Sequence, residues 1–151
     1  MPELTESVHV DAAPDRVWAA LVDWPAQGEW MLGTEVRTVD GDGQGVGGRL
    51  VATTGVPLAG RRRGVVDTMQ ITRWEPPRLV EVRHTGRVVR GSGIFEVRPA
   101  DAGSTFLWTE RLDLPLGPLG RWGWPLVRPL MRAGVRHSLR RFAAYARTHP
   151  G

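Results

Sequence analysis

The sequence predicts an α+β domain in which a seven-stranded antiparallel sheet curls around a long C-terminal helix, with two short helices after the first strand. Three observations carry that expectation. Near the N-terminus Leu4, Glu6, Val8 and Val10 alternate with Thr5, Ser7 and His9, the period-two pattern of a strand. From Thr34 to Leu114, β-branched and aromatic runs follow one another at intervals too short for a crossover helix, so they must join as hairpins. Beyond Trp122, apolar residues recur at three- and four-residue spacings almost to the end of the chain.

The first strand spans Glu3 to Asp11. Pro14 then stands where a first helical turn tolerates a missing N–H, and Asp15 suits the positive end of a helix. Val17, Trp18, Leu21 and Val22 form one apolar stripe, and Pro25 is expected to end this short helix. A second short helix or irregular turn is expected through Gln27, Glu29 and Trp30. Six strands follow at Thr34–Val39, Arg49–Thr54, Gly64–Trp74, Arg78–Thr85, Val88–Arg98 and Thr105–Leu114. Glycine clusters, Pro76-Pro77, Gly86 and Asp101-Ala102-Gly103 separate them. A loop is expected over Pro115–Pro118. Val127, Leu130, Met131, Val135, Ser138, Phe142, Tyr145 and Ala146 then share a helical face, with Arg128, Arg132, Arg136 and Arg140 one position further round. Pro125 and Pro129 predict a short or kinked lead-in, and a clean helix only from about Leu130 to Thr148.

Composition bounds the chemistry. The 151 residues make one domain, residues 1–151, long enough to hide roughly 68–70% of its unfolded surface without covalent staples. The absence of cysteine excludes disulfides, thiolate metal sites and a thiol nucleophile. All 20 basic residues are arginine, which excludes Schiff-base chemistry and a lysine-dependent phosphate loop. No apolar run approaches the roughly 18 residues of a membrane-spanning helix. The opening MPELTESVHV carries acids where a secretory signal carries positive charge, so a cytoplasmic location is expected. Charge is unevenly placed: all 16 acids lie in residues 1–113, whereas residues 114–151 hold 7 arginines and no acid. Such a tail is either one solvated helix face or a surface for an acidic partner or an anionic membrane.

Several stretches resemble a known superfamily. They are the strand followed by Ala13-Pro14-x-x-Val17-Trp18, then Asp23 and Trp30, Glu75-Pro76-Pro77-Arg78-Leu79 before a strand, Gly103-Ser104-Thr105 before the last strand, and the terminal helix. Their order and spacing are similar to the START/Bet v 1-like (SRPBCC) superfamily, in its polyketide cyclase/dehydrase-like branch of small bacterial proteins. The resemblance spans nearly the whole chain. It implies a helix-grip fold enclosing a hydrophobic cavity that binds lipids, sterols, polyketides or hormones, and in a minority of members catalyses cyclisation or dehydration. Fold alone does not fix which.

Gly43-x-Gly45-x-x-Gly48 has the dinucleotide spacing, but that motif requires a helix next and Arg49-Leu50-Val51-Ala52-Thr53 reads as a strand. A hairpin loop is expected instead, which the resemblance puts at the mouth of the cavity. His9, His84, His137 and His149 are scattered without ligand spacing, so no metal and no cofactor is expected. Aromatic residues do not interleave with Arg61-Arg62-Arg63, so nucleic acid is not an expected partner and the run is placed at a hairpin tip.

The informative residues are polar ones in phase with buried faces. Glu110 shares the phase of Phe106, Trp108 and Leu112; His84 that of Val80 and Val82; Asp67 that of Met69 and Ile71. A lone buried carboxylate costs several kcal/mol, so each needs a partner. Asp67, His84 and Glu110 are therefore candidate polar anchors in a pocket formed with Met69, Val82, Phe95, Trp108, Met131 and Val135, with Trp30 at its entrance. The expected function is binding of a hydrophobic small molecule. An alternative is a cyclase or dehydratase using Glu110 or His84 as acid/base. A second is an interaction module docking through the basic helix to an acidic partner or a membrane surface, and the state is expected to be a monomer or homodimer.

Overall fold

Local chemistry accounts for the first elements. In the computed structural model, which describes residues 3–87, 89–113 and 118–151, strand β1 covers Glu3–Val10 and helix α1 covers Pro14–Leu21. Pro14 occupies the first turn with Asp15 beside it, and α1 buries Val17, Trp18, Ala20 and Leu21. The helix stops before Pro25, which instead starts a 3₁₀ helix at Trp24–Glu29. A ring without an N–H fits a first turn, so Pro25 opens the second helix rather than closing the first.

The remaining strands are β2 (Thr34–Val39), β3 (Arg49–Leu58), β4 (Arg61–Glu75), β5 (Leu79–Thr85), β6 (Arg90–Ala100) and β7 (Gly103–Leu112). They form one antiparallel sheet in the order β1-β7-β6-β5-β4-β3-β2. Every neighbour from β2 to β7 is a hairpin; only β1 reaches across the sequence, with Glu3 opposite Arg111 and Val10 opposite Ser104. The expected start of a strand at Val88, the expected strand end at Leu114 and residues 115–117 of the expected loop lie outside the described residues, while Pro118, expected in that loop, opens a helix.

The β3–β4 hairpin is longer than expected. Pairing continues to Leu58 opposite Arg61, and Ala59 and Gly60 make the turn with φ of 53° and 79°. Positive φ at both central residues matches the twist of the flanking strands. Arg61, Arg62 and Arg63 therefore lie in the strand beside the turn, where Arg62 donates to the Gly55 carbonyl at 2.8 Å.

Helix α2 runs unbroken through Pro118–Arg147 with Pro125 and Pro129 inside it, so the lead-in is helical too. Each proline withdraws one N–H, and the carbonyls left without a partner belong to Arg121 and Pro125, on an exposed stretch where water can serve them. Burial starts further on, at Val135, Ser138, Leu139, Phe142 and Ala146. There Phe142 meets Trp30 and Phe106 with ring centroids 4.8 and 4.5 Å away, and Phe95 and Trp108 extend the cluster across the sheet. These edge-on pairs fill one end of the space between sheet and helix. Arg141 to the Glu29 carbonyl (2.8 Å), His149 to Asp23 (3.0 Å) and Arg16 to the Arg147 carbonyl (3.2 Å) hold the helix at that end.

Candidate functional site

The other end of that space is hollow. A cavity of about 310 Å³ lies between β2–β7 and the middle of α2, within the roughly 300–1,000 Å³ usual for small-molecule sites. Alternation along the strands dictates its wall. On β7 Ser104, Phe106, Trp108 and Glu110 are buried while Thr105, Leu107 and Thr109 are less so, and β5 buries Val80, Val82 and His84 in the same way. Asp67, Met69, Val82, His84, Phe95, Trp108, Glu110, Met131 and Val135 all line the cavity. Trp30 does not: it is fully buried beneath α2, packed against Phe106, Trp108 and Phe142, rather than standing at an entrance. An indole surrounded by three aromatic rings gains more from their contact than from a position in water.

Asp67, His84 and Glu110 meet. His84 Nδ1 lies 2.9 Å from Asp67 Oδ1 and His84 Nε2 lies 3.1 Å from Glu110 Oε2, while the Trp108 indole N–H donates to Glu110 Oε1 at 2.9 Å. A neutral imidazole would turn one lone pair toward a carboxylate oxygen, whereas an imidazolium donates from both ring nitrogens, one to each acid. Burial opposes the charge on His84, but hydrogen bonds to Asp67 and then Glu110, with the attraction of both acids, outweigh it and raise its pKa to about 10. An imidazolium between two acids is the result.

The register explains how residues so far apart in sequence converge. Met69 pairs with His84, which places Asp67 diagonally across from the histidine. Glu110 pairs with Gly93 on β6, and Gly93 pairs with Val82 on β5, so Glu110 must reach over a whole strand to find His84. Gly93 permits this: a Cβ there would lie 3.1 Å from Glu110 Oε1 and 3.4 Å from a Val82 methyl.

Several wall residues carry no signal of this kind in the sequence. Gln27 is buried in the 3₁₀ helix and its side-chain amide nitrogen has no partner among the described residues. Ser138 accepts from the Leu32 N–H at 2.9 Å, and the Thr34 and Thr54 hydroxyls bond each other at 2.8 Å. Leu32, 49% exposed, marks where the wall meets solvent.

The glycine loop precedes β3, not a helix, as expected. Its glycines are not among the residues that line the cavity, but Gly43 packs behind two that are, Leu50 and Trp24, and the Trp24 indole N–H donates to the Gly43 carbonyl at 2.9 Å. Gly43 has φ of 70°, and a Cβ there would fall 2.7 Å from the Trp24 ring. Only glycine fits that approach. Among the described residues no group of His, Asp and Glu has the arrangement of a metal site. No helix among them is long and apolar enough to cross a membrane.

The family model described as polyketide cyclase/dehydrase and lipid transport matches residues 1–147. Among solved structures, a protein from Thermus thermophilus superposes with a TM-score of 0.79 at 18% identity, covering 99% of this chain and 100% of that one. A conserved protein from Geobacillus kaustophilus gives 0.73 at 13% identity, covering 97% and 95%. The Aha1 dimer from Colwellia psychrerythraea gives 0.70 at 14% identity, with both chains fully covered. At such identities the likeness is one of fold. Among curated proteins no sequence matches the chain.

Proposed function

Given that the chain belongs to the polyketide cyclase/dehydrase and lipid transport family, we propose that it binds a hydrophobic small molecule between the sheet and α2. The observation that carries this reading is the wall itself: Leu50, Met69, Val82, Phe95, Met131 and Val135 supply apolar surface, and the charged groups are gathered into one cluster at Asp67, His84 and Glu110. Apolar burial supplies affinity at about 25 cal/mol per Å² removed from water, and the cluster orients the guest.

Gly134 offers the direct test. It lies on the wall, and a Cβ there would meet only a Leu32 methyl, 3.9 Å away. Gly134→Leu projects a side chain into the hollow while improving helix propensity by about 1 kcal/mol. Binding of a neutral fluorescent probe such as N-phenylnaphthylamine should be lost with no fall in melting temperature. Unchanged probe binding in that variant would sink the reading.

The acid/base alternative finds less support. As an imidazolium His84 has no free lone pair with which to accept a proton, and both Glu110 oxygens already accept hydrogen bonds. Glu110→Gln that keeps probe binding yet abolishes turnover of a polyketone would favour catalysis.

A second reading rests on a separate observation. Leu119, Trp122, Leu126 and Leu130 form an exposed stripe along the first half of α2, Trp122 at 81%, and from 118 onward the chain has arginines and no acid. The stripe leads straight into Met131 and Gly134 of the cavity wall. We propose that it rests on an anionic lipid surface, with apolar side chains inserted and guanidinium groups among the headgroups. Sedimentation with phosphatidylglycerol vesicles but not phosphatidylcholine vesicles, abolished by Trp122→Glu, is the expected outcome. Failure to sediment, or a concentration-dependent homodimer that shields Trp122, would overturn it.

A further inference from the structure

The cavity has a sign. Of the chain's 20 arginines, none is among the residues of its wall. The ionisable groups there are Asp67, Glu110 and His84, and one imidazolium between two carboxylates leaves one negative charge in excess. The donors of that cluster are consumed internally: both His84 nitrogens and the Trp108 indole N–H point at carboxylate oxygens. Acceptor capacity remains. Asp67 receives only His84 through Oδ1, and among the described residues no donor reaches its second oxygen. An ionised carboxylate can accept about four hydrogen bonds, so Asp67 keeps unused acceptor capacity on a cavity wall.

Resting on the cavity reading above, we infer that the guest is an apolar molecule whose polar end donates hydrogen bonds, an alcohol, a phenol or a protonated amine, and that carboxylate-headed and phosphate-headed lipids are rejected. A donating head completes the coordination of Asp67, and an ammonium also cancels the excess charge. A fatty-acid carboxylate would bring a second uncompensated negative charge against Asp67 and Glu110, and the unpartnered donor elsewhere on the wall, the Gln27 amide nitrogen, is neutral and cannot offset that charge. Within low-dielectric walls that repulsion is screened far less than in water. An unpaired charge set against the wrong head group discriminates between chains of equal length, which shape alone does not separate.

The test is a matched series, decylamine, decanol and decanoate, titrated at neutral pH below their aggregation concentrations by displacement of N-phenylnaphthylamine. Decylammonium and decanol should bind at least about tenfold more tightly than decanoate. In Asp67→Asn, which keeps the volume and removes the charge, the advantage of decylammonium over decanoate should shrink several-fold. Because Asp67 holds His84, that variant is first checked for an unchanged circular dichroism spectrum. If it fails the check, the wild-type ranking alone decides. Decanoate binding as tightly as decanol would overturn the donor-headed class and leave the cavity reading intact. Failure of the probe and all three decyl compounds to bind would remove both.

Discussion

The two ends of the space between sheet and α2 are built from the same strands and the same helix, yet one is filled and the other is hollow. At the filled end Phe142 and Leu139 of α2 descend onto Trp30, Phe106 and Phe95, and hydrogen bonds from Arg141 and His149 fasten the helix down. At the hollow end the helix presents Gly134 and Met131 over an acid–histidine cluster, and further out it buries nothing large. Stability and open space are thus assigned to separate stretches of one helix. A domain whose core had to be good everywhere could not keep such room, because voids lose dispersion contacts along their lining.

The sharpest way to break this contrast is to remove the key aromatic. Phe142→Ala should destabilise the fold by about 3–5 kcal/mol in urea unfolding, the usual range for a fully buried phenylalanine. A cost near zero would mean that the filled end is not what holds the domain together.

Next is the charged cluster. The folded-state pKa of His84, about 10, stands above its ordinary 6.5, so the protonated form favours folding. That contribution is fully present below about pH 6.5 and is lost as pH rises through about 10. Urea titrations of wild type should show stability falling across that window. His84→Gln should be flatter there, and an equal slope in both would separate the cluster from stability.

Gly43→Ala should cost about 1–3 kcal/mol, because the residue must hold a positive φ and also push against the Trp24 ring. The loss should show as a lower urea midpoint with unchanged slope. The smallest effect is expected at the outer half of α2, where Trp122→Ala should change stability by no more than about 0.5 kcal/mol. A large loss there would mean that the exposed stripe is covered by something and would redraw the comparison.

Much of this is legible in the sequence, for definite reasons. Period-two phase on β4, β5 and β7 puts Asp67, His84 and Glu110 on the concave side, because side-chain direction in a strand is fixed by parity. Parity says nothing about which neighbours meet. The contact between Glu110 and His84 depends on Gly93 being the residue between them, a consequence of register that a single chain does not display. Trp30 is expected at the entrance of the pocket, whereas its burial is decided by α2 folding over it. Pro125 and Pro129 suggest a short or kinked lead-in with a clean helix only from about Leu130, yet helical residues run through both from Pro118. A proline's cost inside a helix falls when the stranded carbonyls face water, and exposure is a tertiary property.

The pairing of β1 with β7 has a bearing on how the chain acquires its shape during synthesis. Glu3 is made more than a hundred residues before its partner Arg111, so β1 must wait unpaired while five hairpins assemble behind it. Closing a loop of that size is slow compared with making a hairpin. The waiting segment, ELTESVHV, carries two glutamates and a histidine among its aliphatic residues, and charge on an idle strand discourages it from finding the wrong neighbour on a crowded ribosome.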